Sequence, residues 1–252
     1  MNEVLSEILR TRSVVPVAGK GSIPLHSSVP QDRGMFLQEI IRSLHPKVSL
    51  EVGLAFGVSS LFICEAMREH SPIAKHIVID PLQNHPRVFD GIGLKNLERA
   101  GYLDFVEFHE LTSQVALPQL SEKGTRLDFA FIDGWHTFDH TLVDYFYIDQ
   151  MLNIGGVVAF DDTDWPSIRK VCRFIATNRS YSVLGSVGGM PSDSPSAKRR
   201  FISSLTSRSS RLRAVIRPEF HQSDGSLGLI GSCIAFKKVA ADKRRWDFHS
   251  DF

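Results

Sequence analysis

The sequence predicts an α/β fold on a mostly parallel sheet, and two observations predict it. First, short continuous apolar runs alternate with segments of helical periodicity, the pattern of strands covered on both faces by helices. The clearest unit is residues 128–164, DFAFIDGWHTFDHTLVDYFYIDQMLNIGGVVAFDDTD. Residues 129–132 read as a strand ending in Asp133-Gly134. Leu142, Tyr145, Phe146, Ile148, Met151 and Leu152 supply the apolar positions of a following helix. Gly155-Gly156 is expected to break that helix, and residues 157–160 to form a second buried strand ending in Asp161-Asp162. Second, acids stand where strands stop, beside the crevice in which open α/β sheets bind ligands. Asp133, Asp161 and Asp162 would crowd negative charge there, so a cation or hydrogen-bond donors are required. The first expectation is a hard-metal site beside a cofactor site.

With 252 residues, 42% hydrophobic and 23% charged, the chain suits one globular α/β domain with attachments better than two domains. A net charge of +1 argues against a whole-protein field for nucleic acid or membrane. Cys64, Cys172 and Cys233 are far apart and without zinc spacing, and read as reduced core thiols. The first residues lack the apolar core of a signal peptide, and no stretch is long enough to span a membrane. The expectation is cytoplasmic, with a small molecule as partner rather than a membrane or nucleic acid. The tail at 242–252, DKRRWDFHSDF, reads either as a free end or as a segment docking on a second copy in a homo-oligomer.

The remaining elements follow in order. Residues 1–13 form an amphipathic helix with Val4, Leu5, Ile8 and Leu9 on one face, and 14–30 an irregular arm rich in Pro and Gly. Residues 1–32 are therefore set apart from a main domain at 33–252. Phe36, Leu37, Ile40, Ile41 and Leu44 mark a helix over 35–44, stopped by Pro46. Residues 48–52 are a strand, 53–57 a glycine turn and 59–67 a helix, an arrangement that lets backbone approach a nucleotide-like ligand. The spacing Gly53-x-x-x-Gly57 departs from the dinucleotide fingerprint. A second strand, 76–79, ends in Asp80, which suits the two hydroxyls of a ribose or else is a turn residue before Pro81.

Helix 88–100, strand 105–108, helix 165–178 and strands 181–184 and 231–239 complete the alternation. Between the last two strands lies a long interruption at 186–228. It carries Lys198, Arg199, Arg200, Arg208, Arg211, Arg213 and Arg217, and no acid from 194 to 218. It reads as a solvated surface helix with loops, or as a lid or patch for an anionic substrate. His45, His70, His76, His85, His221 and His249 show no ligand spacing and read as surface or packing residues.

Together these residues resemble the class I S-adenosylmethionine-dependent methyltransferases, nearest to the metal-dependent small-molecule O-methyltransferases of catechol and macrocin type. The resemblance covers residues 33–184, more loosely 231–239. It implies a Rossmann-like seven-stranded, mostly parallel sheet with helices on both faces and the last strand antiparallel. In EVGLAFG, Glu51, Gly53 and Gly57 match the first cofactor motif. Ser59 and Ser60 follow as donors to the cofactor's carboxylate. Asp80 matches the ribose acid, and Ser113-Gln114 a pair near the adenine. Asp133 matches the first metal ligand, also close to the cofactor, and Asp161 and Asp162 the ligands after the fifth strand. Catechol-type enzymes carry Asp-Asn after that strand and a lysine three residues past the first ligand. Asp161-Asp162 and His136 stand there instead, as in the macrocin type, whose histidine is the proposed general base.

The implied function is O-methylation of a small-molecule hydroxyl (sugar, natural product or catechol) with S-adenosylmethionine and Mg2+. The chemistry agrees. Magnesium takes oxygen ligands and lowers the pKa of a bound hydroxyl, and a histidine near pKa 6.5 can take its proton. His140 or Asp139 are alternative working residues, Trp135 a wall of the acceptor pocket, and Asp161 or Asp162 alternatively a helix cap. The rivals are a metal-independent methyltransferase, a non-catalytic module on the same fold, and a nicotinamide-dependent dehydrogenase, which the glycine spacing disfavours.

Overall fold

The computed structural model describes residues 1–189, 222–248 and 250–252. Strands β1 (Ser13–Val14) and β2 (Ile23–Pro24) pair as a small antiparallel ribbon inside the N-terminal arm. The other seven are β3 (Val48–Val52), β4 (Lys75–Ile79), β5 (Val106–His109), β6 (Leu127–Ile132), β7 (Leu152–Phe160), β8 (Tyr181–Gly189) and β9 (Gly231–Lys238). They form one sheet in the order β5-β4-β3-β6-β7-β9-β8, and only β9 runs antiparallel to its neighbours. The fold is the Rossmann-like sheet that the sequence predicts. The chain builds outward from β3 to β5, then returns to place β6 on the other side of β3. That reversal opens a crevice beyond the C-terminal ends of β3, β4, β6 and β7.

Helices α1 (Glu3–Thr11), α2 (Gln31–Leu44), α3 (Val58–His70), α4 (Ile92–Arg99), α5 (Ser113–Glu122), α6 (Phe138–Met151) and α7 (Pro166–Asn178) cover both faces. Because side chains alternate along a strand, each strand feeds two cores. Leu50, Ile77, Ala130 and Phe160 face Leu117, Tyr145, Ile148 and Ile175. Val78, Phe129, Phe131 and Ala159 face Leu37, Phe62, Ile63 and Met67 on the other side. Val4, Leu5 and Ile8 of α1 join that second core. Cys64, Cys172 and Cys233 are buried and free, as core thiols should be. No helix among the described residues is long and apolar enough to cross a membrane.

Three expectations need correction. Helix α2 starts at Gln31 rather than 35, because Pro30 supplies an extended N-cap residue and no apolar residue is needed in the first, solvent-facing turn. Gly155 and Gly156 lie within β7, not between helix and strand: the helix ends at Met151 and the strand starts at once. The register against β6 shifts between Leu127 and Phe129, and Gly155 at φ +87° takes up the irregularity. Strand β8 runs on to Gly189, because β9 offers backbone partners as far as Gly231, so residues 186–189 of the expected interruption are strand. At the end of the tail, the Phe252 ring meets Phe174 edge-on and Lys170 donates to the Phe252 carbonyl, while residues 242–248 are exposed. The basic positions from Lys198 to Arg217, with His221 and His249, lie outside the described residues.

Candidate active site

A cavity of about 880 Å3 occupies the crevice. Its floor is the loop after β3. Gly53 takes φ +96°, and a Cβ there would lie 2.2 Å from the Asp133 carbonyl oxygen, so only glycine lets this loop close on the end of β6. The next backbone N–H groups, of Leu54 and Ala55, each donate to Asp80 Oδ2 at 3.0 Å, and Leu82 N–H donates to Asp80 Oδ1 at 2.8 Å. Asp80, 5% exposed, thereby ties the glycine loop to the end of β4 and keeps acceptor capacity facing the cavity it lines. Helix α3 begins beside it at Gly57 with no side-chain cap, so its first N–H groups face the same space. Ser59, Ser113, Gln114 and Gly53 also line the cavity.

Glu51, Gly57 and Ser60 do not line it. Glu51 is fully buried and accepts from the Ser59 and Ser60 hydroxyls, with His76 Nε2 3.1 Å away. Ser49 Oγ lies 2.8 Å from His76 Nδ1. These hydroxyls were expected to serve a ligand carboxylate, and they serve Glu51 instead. A buried carboxylate must find donors, and these two stand eight and nine positions ahead, across the glycine loop in the first turn of α3. The group anchors the start of α3 to β3 and β4. Gly57 lies against the Gly93 backbone and shapes the turn rather than the cavity wall.

At the other end of the cavity the loops after β6 and β7 meet. Asp133, His136 and Asp162 bring one ligand atom each to within 4.8 Å of one another. His136 Nε2 lies 2.9 Å from Asp162 Oδ2 and 3.7 Å from Asp133 Oδ1. Asp162 turns into the left-handed region, φ +48°, which aspartate tolerates better than most residues. The turn sends the two neighbouring acids different ways. Asp161 leaves the trio and pairs with Arg33, whose Nη1 donates to Asp161 Oδ1 at 2.8 Å and to Asp162 Oδ1 at 3.0 Å. Of the expected set Asp133, Asp161 and Asp162, the described residues bring Asp133 and Asp162 together with His136, while Asp161 lies against Arg33.

Electrostatics follow the same division. Asp133 and Asp162 hold the His136 imidazolium up to about 10, against the pull of burial. Burial raises Asp161 to about 7, Asp133 adds to it, and Arg33 opposes. Burial likewise raises Asp133 to about 6, partly offset by His136. Asp162 lies below the ordinary range because His136 and Arg33 hydrogen-bond to it. Burial disfavours charge on Arg33, but Asp161 and Asp162 more than restore it.

Trp135 and His140 line the cavity mouth; Trp135 is 63% exposed, and Trp165 stands 5.3 Å from His136, ring to ring. Asp139 is exposed and accepts from the Thr137 hydroxyl at the start of α6. Sequence reasoning missed Arg33 and the arm residues Ser27, Ser28 and Val29, which line the cavity. Nothing in their local pattern marks them; only the tertiary placement of α2 does.

The family model "Methyltransferase domain" matches residues 50–163, from β3 through the paired acids. Residues 50–163 are similar to methyltransferase domains. A caffeoyl-CoA O-methyltransferase from Populus kitakamiensis is 31% identical over 144 residues, 55% of this chain and 56% of the relative. The chain thus spans about half the length of the curated relatives it matches. The O-methyltransferase from Bacillus cereus, solved in complex with SAH, is similar in fold at a TM-score of 0.57 and 22% identity, over 75% of this chain and 86% of the other. TomG from Streptomyces achromogenes, involved in tomaymycin synthesis and solved with SAM, gives 0.56 and 22% over 75% and 85%. The matched segment contains Asp80, Asp133, His136, Asp161 and Asp162, whereas Arg33 precedes it.

Proposed function

We propose that the chain is an S-adenosylmethionine-dependent O-methyltransferase acting on a hydroxyl of a small molecule, assisted by a divalent cation. The observation that carries it is the meeting of Asp133, His136 and Asp162 at one end of a cavity whose other end is the Gly53 loop and Asp80. Similarity to proteins solved with SAM or SAH and to caffeoyl-CoA O-methyltransferases supports it. S-Adenosylmethionine supplies an electrophilic sulfonium methyl. The uncapped start of α3 suits its carboxylate, Asp80 its ribose hydroxyls, and Ser113 and Gln114 its adenine.

The donor set fits a divalent cation: two carboxylates and an imidazole converge, and the carboxylate oxygens of Asp133 and Asp162 would hold it. When bound, that cation lowers the pKa of the hydroxyl and offsets the carboxylate charge that otherwise keeps His136 protonated. His136, freed of that proton, takes the one leaving the acceptor oxygen. Trp135 limits how the acceptor enters, and the glycine floor keeps the two reactants in one axis. Acceptor choice among sugar, natural-product and catechol-like hydroxyls follows from that entrance.

Calorimetric titration of S-adenosylhomocysteine tests the reading. One-site binding to the native chain is expected, with loss of at least tenfold in affinity in Asp80→Ala at unchanged secondary structure. Absence of binding to the native chain rejects it. A metal-independent form of the reaction is favoured by one observation, the ion pairs of Arg33 with the paired acids.

A further inference from the structure

Arg33 is the only arginine or lysine among the described residues that line the cavity. Its side chain is 15% exposed, and a single nitrogen, Nη1, bridges Asp161 Oδ1 and Asp162 Oδ1. The other oxygen of Asp162 faces His136 Nε2 at 2.9 Å. Both oxygens of Asp162 and one of Asp161 are therefore taken by positive groups of the chain itself. Asp133 is the carboxylate of the three with no ion pair closer than 3.7 Å.

We propose, resting on the reading above, that Arg33 is the resident counter-cation of the paired acids, and that a divalent ion gains the full set of three carboxylates only by displacing it. A guanidinium stays charged at every accessible pH, so it cannot step aside by losing a proton; it has to move. It also cannot share these oxygens with a divalent ion, because two positive charges within a few Å in a partly buried site repel strongly. Its position is fixed by its neighbour. Gly34 lies against the Phe62 ring, where any Cβ would fall 2.2 Å from Phe62 Cε2, and this contact brings the first turn of α2 to the edge of the cavity. Arg33 thus acts through Asp161 and Asp162 as a positioning residue, and sets how tightly the site takes a divalent ion.

The test is Mn2+ binding, read as the loss of the free-ion electron paramagnetic resonance signal, without acceptor or turnover. Arg33→Gln is expected to bind Mn2+ at least tenfold more tightly than the native chain. Adding Asp161→Asn to Arg33→Gln is expected to return affinity towards native, since Asp161 is the carboxylate released. Arg33→Lys, which keeps the charge, is expected to stay within about threefold of native. Equal affinity in native and Arg33→Gln, absence of binding in both included, overturns the proposal. So does a tightening that survives loss of Asp161, or one of equal size in Arg33→Lys. S-Adenosylhomocysteine titrated into the same samples separates the two levels. Binding retained with unchanged Mn2+ affinity sinks the role of Arg33 alone, while no binding to the native chain sinks the methyltransferase reading.

Discussion

Asp144, one helical turn beyond His140 on α6, is 1% exposed, and its Oδ1 has no hydrogen-bond partner among the described residues. Burial raises its carboxyl from 3.8 to about 6, while Ser113 and the charge of His140 pull it back. The folded state therefore holds this proton more tightly than the unfolded one. Stability from Asp144 is fully present below pH 4 and is lost as pH rises through 6. The gap corresponds to about 3 kcal/mol at most. Asp144→Asn removes the penalty, so the variant is expected to be more stable than the native chain by about 2–3 kcal/mol at pH 8 and nearly equal at pH 4. Urea denaturation at the two values checks it, and a difference independent of pH would exclude this linkage.

At the scale of elements, the packing of α2 on α3 shows what sequence can and cannot carry. The strands β3, β4, β6 and β7 were legible because burial on both faces forces continuous apolar runs, and the acids at their ends are adjacent to those runs in sequence. Asp133 and Asp162 were legible as acids at the ends of neighbouring strands, whereas His136 was expected as a base and not as the third member of their cluster. The role of Arg33 was not legible. It sits in a polar first turn some 130 residues before the acids it pairs with, and its place depends on a helix–helix contact. Glu51 and Ser60 were misplaced because a motif records which residues recur, not which way each points; burial turned theirs away from the cavity.

Gly34→Ala probes that contact. Alanine gains about 1 kcal/mol of helix propensity over glycine. Against this, the new Cβ meets a fully buried ring, and overpacking a tight core costs about 1–3 kcal/mol. Sterics should win, because Phe62 is enclosed by the core and cannot yield. A net loss of about 1–2 kcal/mol in thermal or urea unfolding is expected, with weaker hold of Arg33 on the acids and tighter Mn2+ binding. A gain in stability would mean that the two helices have room to part.

Across the whole molecule, the sheet keeps its chemistry and its structural ion pairs at opposite ends of the strands. The cavity lies beyond the C-terminal ends of β3, β4, β6 and β7. Near the start of β7, Asp149, 6% exposed, takes Arg179, the Tyr181 hydroxyl at 2.6 Å and the Lys238 ammonium at 3.3 Å. Lys238 also donates to the Asp149 and Leu152 carbonyls at 2.5 and 3.0 Å. One acid therefore joins α6, the approach to β8 and the end of β9, the elements that complete the sheet after the methyltransferase motifs. Removing it takes the buried carboxylate from Lys238, which keeps the two backbone carbonyls, and leaves Arg179 with Asp242 as its carboxylate partner; breaking a buried pair from one side costs about 3–5 kcal/mol. Asp149→Ala is expected to lose that much in urea unfolding while leaving the affinity for S-adenosylhomocysteine within about twofold of native at temperatures where it remains folded. The expectation rests on distance along the strands: residues 129–132 of β6 and 157–160 of β7 lie between the two ends, buried and paired with a strand on each side. If affinity fell together with stability, the two ends would be coupled through β6 and β7, and the acids at the C-terminal ends would have to be treated as part of one network with Asp149.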